Sequence, residues 1–214
     1  MTLLIDPTPD IDRLEAEFNG LQLSPDAQDL LFREAATANA FTDEPVTDEQ
    51  MRAVYDLAKW GPTAMNSQPL RIVLVRSAEA RARLVGHMAE GNRAKTEAAP
   101  LVAILAADHD FHDEFGKTFP VFPGARDAFS DESARIESAE LSSGLQIGYF
   151  IIAVRAAGLA AGPMGGFDAA GVSQEYFPDG RHRALLVVNI GQPSVDAFRP
   201  RQPRLDFDEV VTAV

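Results

Sequence analysis

The sequence contains no cysteine. This absence excludes disulfide bonds, thiolate nucleophiles and thiolate metal sites, and it gives no sign of an oxidising compartment. Basic residues are also few, because 19 Lys and Arg stand against 32 Asp and Glu, for a formal net charge of −13. Nucleic acids and anionic membranes bind to basic surfaces, so we expect neither as a partner. An anionic ligand would need a local basic pocket.

Long hydrophobic runs are missing as well. The most apolar stretch, from about residue 141 to residue 166, carries Gln146, Arg155 and several glycines. It therefore predicts a buried core helix and not a membrane span. The N-terminus has neither the basic region nor the apolar region of a signal peptide. We expect a cytoplasmic protein in which residues 1–23 form a loosely ordered lead-in and residues 24–214 form a single domain.

Capping signals and apolar spacing indicate where helices and strands begin. Ser24 followed by proline is typical of a helix start, and Thr47 with Gln50 forms the capping box of a second helix. Ser77 begins a third helix. Residues 162–167 are typical of a glycine-rich turn, and residues 108–131 have no clear period, which is typical of a long functional or mobile loop. Apolar runs predict buried strands at residues 70–75, 101–107 and 184–190.

The segment from about residue 132 to residue 159 is the longest helical candidate. It is apolar nearly all round, so the helix should be buried nearly all round, and a subunit interface is a natural place for it. Strands and helices alternate irregularly along the chain. Together these features predict an α+β fold in which helices cover a central sheet.

Several common sites are not indicated. There is no G-x-G-x-x-G after a strand, no G-x-x-x-x-G-K and no G-x-S-x-G, so a Rossmann site, a P-loop and a hydrolase nucleophile elbow are not predicted. His87 and His182 stand alone and are predicted to lie on the surface. His109 and His112 lie among aspartates that could bind zinc or iron. A solvated acidic loop is the favoured interpretation of that stretch, so no metal is expected; its aspartates are Asp108, Asp110 and Asp113.

Five short polar segments remain, each at the edge of a predicted helix or strand. Any one of them alone is more often a helix end, a turn or a solvated tail. Their joint order along the chain is more informative and disfavours a soluble α+β domain with an unrelated ligand. The segments are residues 37–41, 61–69, 91–95, 162–168 and 201–205.

The order and content of these segments resemble the nitroreductase family of flavoenzymes. Within that family they look like the malonic semialdehyde reductase (3-hydroxypropionate dehydrogenase) subgroup. The resemblance implies a nitroreductase-like fold with a mainly antiparallel central sheet, a long helix at the interface of a homodimer, and FMN bound between the subunits. It extends over the chain after about Leu23 and is weakest at residues 108–131. It is carried by residues 32–66, 90–95, 159–168 and 200–207.

The resemblance also implies where the FMN phosphate binds. The basic pair Arg201 and Arg204 would hold the phosphate, since guanidinium groups offer planar, bidentate donors to phosphate oxygens. Thr37 and Asn39 of the first segment would supply further donors. This group would be the local basic pocket that the acidic composition requires.

The ring of the flavin would contact two other segments. Asn92 and Lys95 would reach its pyrimidine edge, where Lys95 stabilises the negative charge that develops near N1–C2=O on reduction. Backbone groups of Gly165 and Gly166 would approach N5, and glycine permits that close approach. The neighbouring Pro163 and Met164 belong to the same cofactor-binding segment.

Pro62, Thr63 and Asn66 match a segment that reaches the flavin from the other subunit, so the site would be complete only in the dimer. The implied activity is ping-pong hydride transfer, in which NADH or NADPH reduces FMN at N5 and a small electrophile then reoxidises it. A malonic semialdehyde-like aldehyde is the implied acceptor, and nitroaromatics and quinones are alternatives. No catalytic acid or base is assigned.

One departure from the family pattern matters. The sequence has Ala35 and Ala36 where the family usually carries an arginine, and the nearest arginine is Arg33. Loss of a charge-assisted phosphate contact costs on the order of 1.5–3 kcal/mol, or roughly ten- to hundredfold in FMN affinity. The alternative hypothesis is therefore a weakly flavin-binding or flavin-free member of the family with a binding or scavenging role.

Overall fold

The computed structural model describes residues 21–214, and the chain divides into two compact units, Met1–Ala35 and Ala36–Val214. In the first unit, helix α1 (Pro25–Gln28) begins as predicted, because the Ser24 side chain accepts a hydrogen bond from the Ala27 amide. A π-helical turn (Asp29–Arg33) follows. The predicted lead-in over residues 1–23 falls almost entirely outside the described residues.

A four-stranded antiparallel sheet forms the centre of the second unit. The strands are β1 (Leu70–Val75), β2 (Leu101–Asp108), β3 (Ala160–Met164) and β4 (His182–Gly191), in the spatial order β1-β2-β4-β3. The three predicted strands are confirmed. β2 is buried along its whole length, whereas β1 is an edge strand in which only Val75 is fully buried. The prediction of a buried strand at residues 70–75 was therefore wrong about its burial.

Helices pack on the sheet as predicted for an α+β fold. Short 3₁₀ turns at Ala64–Asn66, Phe111–Glu114 and Asp127–Phe129 lie between them. In chain order the helices of this unit are α2 (Asp48–Ala58), α3 (Ala78–His87), α4 (Glu90–Ala98), α5 (Phe115–Thr118), α6 (Glu132–Ala156), α7 (Ala169–Tyr176) and α8 (Phe207–Val210).

Both faces of the sheet are apolar, as the alternating side chains of β2 show. Leu101, Ala103 and Leu105 belong to one core cluster, which contains the buried faces of α2 and α6. Val102, Ile104 and Ala106 belong to a second cluster on the opposite face, with residues of α3 and α7. Because successive strand residues point to opposite faces, a strand covered on both sides is a continuous apolar run.

Helix α6 is confirmed as the longest helix of the described chain, but its burial differs from the prediction. One face packs on the sheet through residues such as Phe150 and Val154, which are fully buried. The opposite face is exposed in the single chain, with 69% exposure at Leu141, 46% at Leu145 and 45% at Tyr149. The prediction of burial nearly all round is therefore wrong for the isolated chain, because one chain covers only one side of this helix.

Residues 162–167 were predicted to form a glycine-rich turn, and this prediction was wrong for the first three residues, which lie in a strand. Gly162, Pro163 and Met164 belong to β3, where Pro163 pairs with Val188. β3 is an edge strand, and the missing N–H of proline is tolerated there. A Cβ atom at Gly162 would lie 2.4 Å from the Ala38 carbonyl oxygen, so the neighbouring backbone requires glycine at this position.

The stretch at residues 108–131 is more ordered than its sequence pattern predicts. It contains the short helix α5 and two 3₁₀ turns. The Phe111 ring lies 5.0 Å from the Phe129 ring and 5.8 Å from the Phe115 ring, both in edge-to-face geometry. This aromatic cluster supplies the core that a solvated loop would lack.

Asp108, at the end of β2, is buried and not solvated, so the acidic-loop interpretation was wrong for this residue. Its carboxylate accepts hydrogen bonds from Arg181 at 2.8 and 2.9 Å and from Arg71 at 2.8 Å. Burial favours the neutral acid, but the Arg181 hydrogen bonds and the charge of Arg71 outweigh it and lower the pKa of Asp108. Within residues 21–214, no group of three or more acidic or histidine side chains could hold a metal ion.

The two histidines that were predicted to stand alone on the surface each have a carboxylate partner. His87 Nε2 lies 2.7 Å from a Glu175 oxygen, and His182 Nδ1 lies 2.9 Å from an Asp179 oxygen. The His182 ring also stacks on Phe177, with 5.1 Å between ring centroids.

No helix in the described part of the chain combines the length and the apolar character needed to cross a membrane.

The ionised carboxylate of Asp108 should stabilise the fold above about pH 4. Because its pKa is lower in the folded state than in the unfolded chain, this contribution is lost as the pH falls through the folded pKa. Asp108→Asn should lower the free energy of unfolding by about 3 kcal/mol at pH 7, since it leaves two arginines without their buried partner. The difference from the wild type should shrink between pH 5 and pH 3.

Urea unfolding at a series of pH values measures this difference. Asp110→Asn is the matched control, because the Asp110 carboxylate is partly exposed and lies 3.4 Å from Arg135. A loss in Asp108→Asn that is the same at pH 7 and pH 3 would contradict the assignment.

Candidate functional site

The start of α4 and the end of β3 meet at Gly166. The side-chain amide of Asn92 donates a hydrogen bond to the Gly166 carbonyl oxygen at 2.9 Å, and the Ala89 amide donates to the same oxygen at 3.0 Å. A Cβ atom at Gly166 would lie 2.8 Å from Asn92 Nδ2. Gly165 is exposed beside it, with open space around it. The structure thus brings Asn92 together with the predicted glycine pair, and the contact depends on glycine at position 166.

Lys95 lies one turn further along α4, with its backbone tied to the sheet. The Asn189 side chain donates a hydrogen bond to the Lys95 carbonyl oxygen at 3.0 Å, and Thr96 Oγ1 lies 3.8 Å from the sulfur of Met164. Within the described residues the Lys95 ammonium has no hydrogen-bond or ion-pair partner. Partial burial lowers the pKa of Lys95, and the positive charge of Arg199 lowers it further. This environment favours the binding of an anionic or electron-rich group.

Two residues of this group were missed by the sequence predictions. Asn189 is fully buried on β4, and its Oδ1 has no hydrogen-bond partner within the described residues. It is the one polar residue in the apolar run at residues 184–190, a signal that could have identified it. Arg199 belongs to the basic tail, in which only Arg201 and Arg204 were assigned a role.

The first polar segment runs beside β3. The Ala38 amide donates to the Ala161 carbonyl oxygen at 3.0 Å, and the Asn39 amide donates to the Ala197 carbonyl oxygen at 2.8 Å. The Asn39 side chain donates to the Thr37 carbonyl oxygen at 3.2 Å. These residues were predicted to lie at the edge of a helix or strand, and they form an extended segment next to the strand that carries Pro163 and Met164.

The segment that carries Pro62, Thr63 and Asn66 packs elsewhere, against α5 and α6. Ser142 of α6 accepts a hydrogen bond from the Ala64 amide at 3.3 Å, and the Asn66 side chain donates to the Thr118 carbonyl oxygen at 2.6 Å. Asn66 and Gln68 also line a cleft of about 610 Å³ that reaches α2, β1 and α5. The structure therefore separates this segment from the contacts that join Asn92, Lys95 and Gly166.

The backbone of this segment is left-handed at three positions. The φ angles are 49° at Met65, 53° at Asn66 and 46° at Gln68. Non-glycine residues in this region cost on the order of 1–3 kcal/mol each and persist where the surroundings hold them. Such strain is concentrated at functional sites, so the segment is a candidate for a functional role in its own right.

Arg201 and Arg204 lie in the exposed C-terminal tail. One nitrogen of the Arg204 guanidinium donates to the carbonyl oxygens of Gln202 at 2.9 Å and Pro203 at 3.2 Å. The tail residue whose charge acts on Lys95 is Arg199. The two predicted phosphate-binding arginines are thus placed on the surface, in a tail that also includes the short helix α8.

Comparison with known proteins supports a family assignment. The sequence model of the nitroreductase family matches residues 33–192. A Streptomyces griseus protein, named as a candidate NADH dehydrogenase/NAD(P)H nitroreductase, is 65% identical over 195 residues, which is 91% of this chain and 99% of that protein.

Solved structures share the fold. A candidate nitroreductase of Exiguobacterium sibiricum in complex with FMN has a TM-score of 0.80 at 20% identity, covering 90% of this chain and 99% of that one. A candidate NAD(P)H:FMN oxidoreductase of Staphylococcus epidermidis has a TM-score of 0.77 at 19% identity, covering 91% and 98%. With the antiparallel sheet and its helices in place, the chain belongs to the nitroreductase family.

Proposed function

We propose that this protein is an FMN-dependent NAD(P)H oxidoreductase whose flavin lies against Asn92, Lys95, Gly165 and Gly166. The observation that carries the proposal is the Lys95 ammonium, a partly buried cation without a partner in the described chain, one helical turn after Asn92, which makes the close contact with Gly166. The names of the relatives supply the chemistry, since they are described as NAD(P)H nitroreductases or FMN oxidoreductases.

The residues present fit FMN on three counts. A flat ring needs a wall without side chains, and Gly165 and Gly166 offer only backbone there. The electron-rich pyrimidine edge needs a cation, which Lys95 supplies. The phosphate needs guanidinium groups, and the tail carries those of Arg199, Arg201 and Arg204, with Thr37 and Asn39 as further donors.

When bound, FMN supplies hydride transfer at N5 between NADH or NADPH and an electrophile. The chain's own residues bind and orient the flavin and tune its charge. Lys95 would stabilise negative charge at the pyrimidine edge, and partial burial would strengthen this interaction because it reduces screening of the ammonium by water. Asn92 would hold the backbone at Gly166 in position, so that the amides of residues 165 and 166 approach the ring.

We further propose a homodimer that completes the site. Pro62, Thr63 and Asn66 lie away from the Lys95 group and would contact the flavin held by the partner subunit. The exposed apolar face of α6, with Leu141, Leu145 and Tyr149, is a surface that a second copy would cover. Trp60, which is 76% exposed just after α2, would extend that interface.

The acceptor is proposed to be a small electrophile. The resemblance to the malonic semialdehyde reductase subgroup favours a small aldehyde that carries a carboxylate, and nitroaromatics and quinones are the alternatives. The second candidate function, a flavin-free binding or scavenging role, is motivated by Ala36 in place of the family arginine. The nearest arginine in the chain, Arg33, pairs with Asp29 at 3.1 Å and with Gln28.

Purified protein should bind FMN and then oxidise NADH or NADPH in the presence of an aldehyde, a nitroaromatic or a quinone. Absorption spectra with and without added FMN measure binding, and stopped-flow absorbance measures flavin reduction. Lys95→Met should slow that reduction on the order of 100-fold, since a charge-stabilising donor is lost. Arg93→Met, which removes an exposed cation from the same helix, is the control.

The proposal would be refuted, and the flavin-free alternative supported, if the protein is colourless after incubation with excess FMN and removal of the unbound FMN. Equal reduction rates in Lys95→Met and Arg93→Met would instead remove Lys95 from the site while leaving the enzyme class in place.

Ala36→Arg should tighten FMN binding by roughly ten- to hundredfold, because it restores a charge-assisted contact to the phosphate. Fluorescence quenching of FMN measures the dissociation constant. Ala36→Met controls for side-chain size without charge. If both variants bind FMN equally well, position 36 does not face the phosphate.

A further inference from the structure

The left-handed segment at residues 65–68 is held by contacts on several sides. The Gln68 amide donates to Thr63 Oγ1 at 3.2 Å, and the Leu70 amide donates to Gln146 Oε1 of α6 at 3.0 Å. The Gln68 side chain donates to Asn66 Oδ1 at 3.0 Å. The position of Gln68 therefore sets the orientation of the Asn66 amide group.

Arg71 is the side chain that ties this segment to the sheet. One guanidinium nitrogen donates to the carbonyl oxygens of Gln68 at 2.9 Å and Leu70 at 3.1 Å, and another donates to Asp108 at 2.8 Å. A guanidinium group can make these contacts together because its donors are fixed in one plane, whereas an ammonium group is a single point of charge.

The anchor for Arg71, the Asp108 carboxylate, is itself buried and held by several hydrogen bonds. Asp108 is 1% exposed, and Arg181 donates two hydrogen bonds to its carboxylate. The Asp110 amide donates to the same carboxylate at 2.9 Å, and the Asp108 amide donates to the Pro69 carbonyl oxygen at 2.9 Å. Arg71 of β1 and Arg181, the residue before β4, thus meet at one buried carboxylate at the end of β2, directly beside the left-handed segment.

The Asn66 amide retains binding capacity in this arrangement. Its nitrogen uses one N–H on the Thr118 carbonyl oxygen, and its oxygen accepts one hydrogen bond from Gln68. A side-chain amide has two N–H donors and two lone pairs on oxygen, so one donor and one acceptor remain without a partner among residues 21–214. The side chain is exposed, which leaves these groups open to a ligand.

We propose that Arg71, anchored on Asp108 by Arg181, is a positioning residue for the flavin site: it holds the Gln68 carbonyl and so keeps residues 65–68 in the strained geometry that presents the Asn66 amide to the cofactor. The inference rests on the proposed function. It assigns no chemical step to Arg71, which acts through Gln68 and Asn66.

A double-mutant cycle on FMN affinity tests this inference with the full-length protein. Arg71→Met and Asn66→Ala should each weaken FMN binding about tenfold, the scale of one lost charge-assisted or well-oriented hydrogen bond. In the Asn66→Ala background, Arg71→Met should change the dissociation constant less than about twofold, because the group that it positions is gone.

Arg76→Met is the matched control. Arg76 follows β1 at its other end, where it pairs with Asp48 at 2.7 Å and with the Val46 carbonyl oxygen, so its loss should leave FMN affinity unchanged. Arg71→Lys keeps a positive charge beside Asp108 but lacks the planar fork. Arg71→Lys should unfold at nearly the same temperature as the wild type but bind FMN more weakly. If Arg71→Met does not fold, Arg71→Lys takes its place in the double-mutant cycle.

Additive losses in the double variant would overturn the inference, since Arg71 would then act on general stability and not through Asn66. Unchanged FMN affinity in Arg71→Lys or in Asn66→Ala would overturn it as well. Each of these results leaves the proposed FMN-dependent activity intact, provided that the wild type binds FMN, although unchanged affinity in Asn66→Ala would also remove Asn66 from the proposed dimer site. A wild type that does not bind FMN would overturn the proposed function and this inference together.

Discussion

The architecture depends on a sheet that is buried on both faces. Every residue of β2 is buried, and its alternate side chains enter two separate cores. A strand without a solvent-facing side cannot carry a binding group along its length, so polar chemistry is confined to strand ends and edges. Asp108 at one end of β2, Asn189 near the end of β4 and Gly166 after β3 are where the sheet meets polar partners.

Close backbone approach explains the composition of the site. Gly162 permits contact with the Ala38 carbonyl oxygen, and Gly166 permits contact with the Asn92 amide. These two contacts align the first polar segment and α4 along the edge strand β3, and Lys95 follows Asn92 by one turn of α4. The exposed face of α6 and the segment at Asn66 lie on other surfaces, as expected if the proposed dimer brings them to a second copy of the site.

Sequence patterns predicted most of the elements and failed at identifiable places. The capping box at Thr47 is present with both hydrogen bonds, since capping is local and needs no tertiary partner. β3 was missed because Gly162 and Pro163 are typical of turns, and only its edge position makes them acceptable in a strand. Asp108 was taken for a solvated acid because its partners, Arg71 and Arg181, lie 37 and 73 residues away in the chain.

The sequence by itself determined the α+β class, the set of polar segments and the resemblance to the family, which in turn implied the antiparallel sheet, because local periodicity and motif order survive without coordinates. Only the tertiary structure decided which segments meet. It joined Asn92 to Gly166 and Lys95 to Asn189, separated Asn66 from both, and left Leu141 exposed on α6. The reason is physical: burial, close backbone contact and ion pairing depend on residues far apart in the chain, and no local pattern encodes which of them become neighbours.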